Sequence, residues 1–178
     1  MTEKIIIAGS GGQGIMVMSK FLSNLAVEAG RFTTYLPAYG AEVRGGTAHC
    51  MVIISDEEIY SPLIDKVDAL IVMNAPSLVK FEGRLKKGGA LFLNKSLINI
   101  KPKRNDLQVS EIPFTAIAQE TGNVKCANTV ALGAYLGYKK IASAKQTDVV
   151  LAKMLEGLSR EIIAVNKKAF ERGMAYGK

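Results

Sequence analysis

The sequence predicts a three-layer α/β domain with a mostly parallel sheet and a long C-terminal helix. Three observations carry this. Short, wholly apolar runs such as residues 5–8 alternate with stretches of helical period. A glycine-rich turn, Gly9-Ser10-Gly11-Gly12-Gln13-Gly14, stands between the first such run and the first helical stretch. The last part of the chain carries one sustained apolar stripe.

Taken in order, residues 5–8 (Ile-Ile-Ile-Ala) read as a buried strand that ends abruptly in glycine. Ile15, Met18, Leu22, Leu25, Ala26 and Ala29 then recur at helical spacing, and Gly30 closes the helix. Residues 32–36 read as a second strand. Strand, glycine turn, helix and strand within about 30 residues make a βαβ unit, the start of a Rossmann-like domain. Residues 37–46 (Pro-Ala-Tyr-Gly-Ala-Glu-Val-Arg-Gly-Gly) read as a loop, because a proline and three glycines oppose regular structure. Residues 49–55 read as a strand, with residues 58–61 as a short hairpin partner.

Residues 69–73 form another buried run. Asn74 is placed to cap the next helix, with Pro76 in its first turn. That helix is expected to reach residue 85, with Lys86 and Lys87 at its end and Gly88-Gly89 stopping it. Strands at 90–93 and 107–112, a helical turn at 114–120 and a helix at 127–138 follow. The last of these carries Ala131, Gly133, Ala134 and Gly137, small enough for close packing. Leu151, Leu155, Leu158, Ile162, Val165 and Ala169 predict one helix over 147–172, with an apolar stripe of roughly 27 Å at about 1.5 Å per residue. The whole chain, 1–178, is expected to be one domain.

Composition sets the outer limits. Apolar residues make up 48% of the chain, enough for a core without disulfides. The formal net charge is +7, densest at Arg84, Lys86, Lys87, Lys95, Lys101, Lys103 and Arg104. That cluster reads as a solvated face or as an attraction to an acidic protein or phosphate ligand. No aromatic residues interleave with it, so nucleic acid is not an expected partner. The two cysteines, Cys50 and Cys126, are too few for a four-cysteine cluster and read as buried apolar residues. No run of about 18 apolar residues occurs, so no membrane span is expected, and the chain reads as cytoplasmic.

Gly9, Gly11 and Gly14 match G-x-G-x-x-G in the right context. In a dinucleotide site an acid follows about 20 residues later, at the end of the second strand, to hold the ribose. Here that strand ends in Tyr35-Leu36-Pro37-Ala38, without one. No Gly-Lys-Ser/Thr follows the turn, so it is not a P-loop. The turn reads as a set of backbone donors for an anionic or polar partner, or as a tight strand–helix joint with no ligand. Ser10 can donate a hydrogen bond and Gln13 can read a carbonyl or amide. Arg44, in the second glycine-rich stretch, suits a carboxylate or phosphate, a salt bridge with Glu42, or a partner chain. His49, the lone histidine, reads as a core or edge residue.

The two glycine-rich stretches together, residues 9–22 and 37–46, resemble the gamma subunit or gamma domain of the 2-oxoacid:ferredoxin oxidoreductases. The 2-oxoglutarate type looks closest, with the pyruvate and branched-chain types near. Matching stretches at 69–74, 88–89 and 128–134 extend the likeness over essentially the whole chain. The resemblance implies an enzyme complex that converts a 2-oxoacid and coenzyme A to acyl-CoA and CO2. It implies that thiamine diphosphate, magnesium and iron–sulfur clusters lie on partner subunits, alpha, beta and a ferredoxin-like delta, with ferredoxin as electron acceptor. This chain would bind no cofactor alone and would carry no catalytic residue or metal. It would complete the assembly and help enclose coenzyme A. The residues expected at the ligand or subunit boundary are Gly9, Ser10, Gly11, Gly12, Gln13, Gly14, Tyr39, Gly40, Glu42, Arg44, Gly45, Gly46 and Asn128. A stand-alone nucleotide-binding module and a scaffold with an empty turn are the competing readings.

Overall fold

A computed structural model describes residues 1–39 and 47–177. Along the chain run β1 (Thr2–Ser10), α1 (Ile15–Glu28), β2 (Phe32–Tyr39), β3 (Thr47–Ser55), β4 (Val67–Val72), α2 (Ala75–Phe81) and β5 (Leu85–Asn94). β6 (Gln108–Ile112), α3 (Phe114–Thr121), α4 (Ala127–Tyr138), α5 (Ala144–Met154) and α6 (Arg160–Tyr176) complete it. The sheet order is β2-β3-β1-β4-β5-β6. β3 is antiparallel to both of its neighbours, and the pairs from β1 through β6 are parallel.

The expected βαβ unit is therefore a split one. β2 runs in the direction of β1, but β3 lies between them. Local sequence sets the direction of β2 through α1. It does not show that a later strand will insert beside β1.

Both faces of the sheet are covered, which is why the strands read as unbroken apolar runs. Ile5 and Ile7 face the side of α1, α3 and α4, in one cluster with Phe21, Phe114 and Tyr135, and Phe170 of α6 joins that cluster from behind α4. Ile6 and Ala8 face the other way, toward Leu78 and Phe81 of α2 and the connecting residues Ile64 and Ile98. α1 ends as its glycine requires. Gly30 has φ 71°, its N–H donates to the Val27 carbonyl, and the Arg31 N–H donates to the Ala26 carbonyl, each at 2.9 Å.

Four expectations are corrected. The strand β2 runs on through Pro37 to Tyr39, into the expected loop; proline is tolerated because β2 is an edge strand. Residues 58–61 form no strand. Lys86, Lys87, Gly88 and Gly89 belong to β5, where Gly88 (φ 72°) lies in a bulge that shifts the register against β4. The preceding helix stops at Phe81, followed by a single 3-10 turn.

The fourth concerns the tail, which is two helices rather than one over 147–172. Gly157 adopts φ 81° and Ser159 caps α6 by accepting from the Ile162 N–H. Leu158 and Ile162, members of the expected stripe, are left exposed. α6 packs on α4 rather than directly on the sheet. Gly133 of α4 and Gly173 of α6 each face a backbone carbonyl of the other helix so closely that a Cβ would overlap it. This is the close approach that the small residues of α4 allow.

Candidate functional site

β1 sends its crossover through α1 on one face, toward β2. β4 sends its own through α2 on the other face, toward β5. The switch point between them opens at the C-terminal ends of β1 and β4, where ligands bind in open α/β sheets. The glycine turn leaves β1 at that place.

Residues 10–13 form a hydrogen-bonded turn. The Gln13 N–H donates to the Ser10 carbonyl at 3.1 Å, and Gly12, third in the turn, has φ 91°. That is the position of a type II turn that requires glycine. The glycine indispensable to the turn is thus Gly12, outside the G-x-G-x-x-G pattern. Gly14 follows with φ 73° as the N-cap of α1. A Cβ on Gly14 would overlap the Asn128 side chain at the head of α4. A Cβ on Gly9 would lie 2.6 Å from the Gln13 Oε1 and 2.9 Å from the Met73 Cβ. Gly9 makes room for Gln13.

Gln13 folds back into its own turn. Its Oε1 accepts from the Ser10 N–H at 2.7 Å, and its Nε2 donates to the Met73 carbonyl at 3.3 Å. The same carbonyl accepts from the Asn94 Nδ2 at 3.5 Å. Asn94, fully buried at the end of β5, also donates to the Thr115 Oγ1 at 2.9 Å. Asn74 caps α2 by accepting from the Ser77 N–H at 3.0 Å and donates to the Ser10 Oγ at 2.6 Å. A line of neutral carboxamides and hydroxyls thus joins β1, β4, β5 and α3 across the rim. Because the Ser10 and Thr115 oxygens each accept from an asparagine, their own protons are left to point elsewhere.

The structure brings Gly9, Ser10, Gly11, Gly12, Gln13, Gly14 and Asn128 together. Tyr39 closes β2, and Thr47 opens β3 directly opposite Ser10. The flanks of the second glycine-rich stretch therefore stand at the same rim as the first. Gly40, Glu42, Arg44, Gly45 and Gly46 lie outside the described residues. Sequence reasoning took Asn74 only as a cap and passed over Asn94 and Thr115. The signal was that two buried strands, at Val72-Met73-Asn74 and Phe92-Leu93-Asn94, each run into an asparagine.

Among the described residues, charge is sparse beside the glycine turn. His49, on β3 opposite Ala8, packs its ring 4.7 Å from that of Phe81. Burial, and then the charges of Lys80 and Arg84, hold its pKa below the ordinary value. Three residues of the basic cluster are ion-paired, one of them, Lys95, directly after Asn94 at the end of β5. Lys86 pairs with Asp68 at 2.5 Å, Lys95 with Glu111 at 2.7 Å, and Arg104 with Asp106 at 2.5 Å. Cys50 and Cys126 are buried free thiols, pushed up in pKa by that burial. Among the described residues no group of three or more His, Cys, Asp or Glu side chains could hold a metal ion. No helix among them is long and apolar enough to cross a membrane.

A mixed Rossmann-like sheet with a glycine turn at its switch point defines a nucleotide-binding type of frame, with carboxamides and hydroxyls beside the turn among the described residues. Residues 4–176 match the family described as pyruvate ferredoxin/flavodoxin oxidoreductase, and the chain belongs to that family. It is 35% identical to the ketoisovalerate oxidoreductase subunit VorA of Methanothermobacter marburgensis, over 98% of this chain and 36% of VorA. The chain thus spans about a third of that relative's length. It is 30% identical to the 2-oxoglutarate synthase subunit KorC of Methanocaldococcus jannaschii, over 100% of this chain and 95% of KorC. Among solved structures, the gamma subunit of a keto/oxoacid ferredoxin oxidoreductase from Geobacter sulfurreducens superimposes with TM-score 0.83 at 26% identity, covering 98% of both chains. The 2-oxoglutarate:ferredoxin oxidoreductase of Magnetococcus marinus, solved with 2-oxoglutarate, coenzyme A and succinyl-CoA, gives TM-score 0.90 at 26% identity. That match covers 99% of this chain and 31% of the other.

Proposed function

We propose that this chain is the gamma subunit of a 2-oxoacid:ferredoxin oxidoreductase, and that 2-oxoglutarate is the 2-oxoacid. The observation that carries the assignment is the match over nearly the full length of both chains to KorC and to the Geobacter gamma subunit. The geometry supports a non-autonomous role. The rim of the switch point offers neutral hydrogen-bonding groups and no nucleophile–base pair among the described residues. Decarboxylation and electron transfer then belong to thiamine diphosphate and iron–sulfur clusters on alpha, beta and delta partners. This chain completes the assembly, with the glycine turn and the flanks of residues 40–46 at the subunit boundary. Coenzyme A lies across that boundary, where Ser10 and Thr115 supply hydroxyl donors to its carbonyl oxygens.

The native complex, captured through a tag on this chain, tests the reading. Thiamine diphosphate is expected in the captured material, with turnover of 2-oxoglutarate and coenzyme A coupled to ferredoxin reduction. Faster turnover of 2-oxoisovalerate would transfer the substrate to the branched-chain class, in line with the likeness to VorA. Recovery of a lone monomer with its own nicotinamide-dependent activity would sink the assignment.

A further inference from the structure

We propose that the connection between β3 and β4 is a preformed docking knob: Tyr60 and Leu63 seat in an apolar pocket of a partner subunit, and Glu57 and Glu58 meet lysines or arginines at the rim of that pocket. The inference rests on the proposed subunit role and adds to it a surface away from the glycine turn.

Residues 56–66 form no strand or helix. Yet the segment is pinned at both ends. At its start the Asp56 N–H donates to the Met1 carbonyl at 3.2 Å, and the Asp56 carboxylate pairs with the Met1 amino group and with Arg31. The Glu57 N–H donates to the Ser55 Oγ at 3.1 Å. At its end the Arg84 Nε donates to the Asp65 carbonyl at 3.0 Å, and the Lys66 Nζ donates to the Gly83 carbonyl at 2.8 Å. Between these ties Ile64 is buried in the cluster of Leu78 and Phe81 of α2, and Ile59 packs against the same cluster. The knob therefore stands on the α2 side of the sheet. The four residues between the two isoleucines, Tyr60-Ser61-Pro62-Leu63, are all exposed. The Leu63 N–H donates to the Ser61 Oγ at 3.3 Å, and Pro62 fixes one φ of the segment.

Tyr60 is 91% exposed and Leu63 73%, the two highest values for large apolar side chains among the described residues. A single exposed leucine needs no explanation. Two such side chains held out from a pinned segment are different. The segment has little freedom left to lose on binding, and tyrosine is among the residues that dominate contact energy once they enter a pocket. Charge says what kind of pocket. Residues 56–65 hold four of the chain's 16 acids and none of its 23 lysines and arginines. Asp56 is committed within the fold, whereas Glu57 and Glu58 are exposed and make no ion pair among the described residues. A two-fold contact between copies of this segment would set Glu57 and Glu58 against themselves. A different chain with a cationic rim has the complementary charge.

The test uses the native complex captured through a tag on this chain. Tyr60→benzoylphenylalanine, irradiated in the assembled complex, is expected to cross-link to a partner subunit at a peptide that contains lysine or arginine. Dissociation on dilution, followed by mass photometry, gives the affinity. Tyr60→Ser with Leu63→Ser is expected to weaken it at least roughly tenfold. Glu57→Lys with Glu58→Lys is expected to weaken it about tenfold at low salt, with the loss fading near about 1 M salt. All four side chains are exposed, so unfolding midpoints should not move, which separates docking from folding. Undiminished affinity of the double serine variant, a charge reversal that tightens binding, or a cross-link to a second copy of this chain would overturn the proposal. A native chain that captures no partner overturns the subunit assignment and this inference together. Capture that survives the loss of Tyr60 and Leu63 overturns this inference alone.

Discussion

The two ends of the sheet are built from opposite chemistry. At the C-terminal ends of β1, β4 and β5 the polar groups are carboxamides and hydroxyls: Ser10, Gln13, Asn74, Asn94 and Thr115. At the other end they are ionic. Glu3, 4% exposed at the start of β1, accepts from the Tyr135 hydroxyl at 3.1 Å and pairs with Lys139 at 2.7 Å. Asp68, at the start of β4, accepts from the Lys4 N–H at 2.9 Å and pairs with Lys86. Burial, and then the Glu3 charge, push the Tyr135 phenol well above its usual pKa. The ionic end spends its groups on one another, so little is left for a partner. The other end keeps two hydroxyl protons, those of Ser10 and Thr115, uncommitted, with Ser10 set within the glycine turn. One end is made to be costly to open, and the other is made to be met.

The sharpest way to break this contrast is at Glu3. Truncating it leaves the Tyr135 hydroxyl buried without an acceptor and Lys139 without its partner. Glu3→Ala is expected to lower the unfolding free energy by about 3 kcal/mol. Glu3→Gln keeps an acceptor for Tyr135 and is expected to cost about half as much. Urea denaturation measures both. Capture of partner subunits by the folded fraction should be unchanged, and a loss of capture in step with stability would erase the distinction between the two ends.

Gly14 tests the neutral end by geometry rather than charge. A side chain there meets both a left-handed backbone at φ 73° and the Asn128 side chain. Gly14→Ala is expected to cost about 2 kcal/mol. Asn128→Ala in the same chain should recover part of that loss, seen as a coupling energy in a double-mutant cycle. Simple additivity would mean that Asn128 does not close the turn.

How much of this was legible in the sequence follows from the range of each signal. The strand at residues 5–8, the Gly30 stop and the Asn74 cap are local, and each was readable because one residue and its neighbours decide it. The insertion of β3 beside β1 is a long-range pairing with no local mark. Lys86 to Gly89 misled because cations and glycines are also helix-end signals, whereas here Gly88 serves a bulge in β5. In the tail, apolar spacing continues across Gly157 and hides a break that the glycine and the Ser159 cap both announce. At the site, the motif pointed to the right turn, and Gly9 and Gly14 are packed too closely for a side chain, but Gly12, which the motif omits, carries the positive φ that closes it. The role of Gln13 depends on the Met73 carbonyl, which arrives from a strand far along the chain. Asn74 and Asn94 become site residues only once β1, β4 and β5 are side by side.

Asn74 separates stability from recognition. Asn74→Ala removes the cap of α2 and the donor to Ser10, and is expected to cost about 1 kcal/mol. Despite this smaller effect on folding, it should weaken partner capture more than Glu3→Ala does, because the Ser10 hydroxyl loses the bond that aims it. Equal capture by the two variants would remove the rim from the subunit boundary.

The smallest expected effect comes from His49, close under this end of the sheet on β3. His49 has its pKa lowered in the folded chain by burial, with Lys80 and Arg84 adding to it. The unfolded chain takes up that proton near about pH 6.5, before the folded chain does. Protons therefore favour the unfolded state over that interval. Stability is expected to be full above about pH 6.5, to fall as pH drops toward the lower folded pKa, and to level off below it. With the ring only part-buried, the drop should stay under about 1 kcal/mol. Urea midpoints between about pH 8 and pH 5 measure it, and His49→Gln should flatten that step. A step of opposite sign would mean that His49 gains a carboxylate partner in the folded chain, and the contrast between the two ends would weaken at β3.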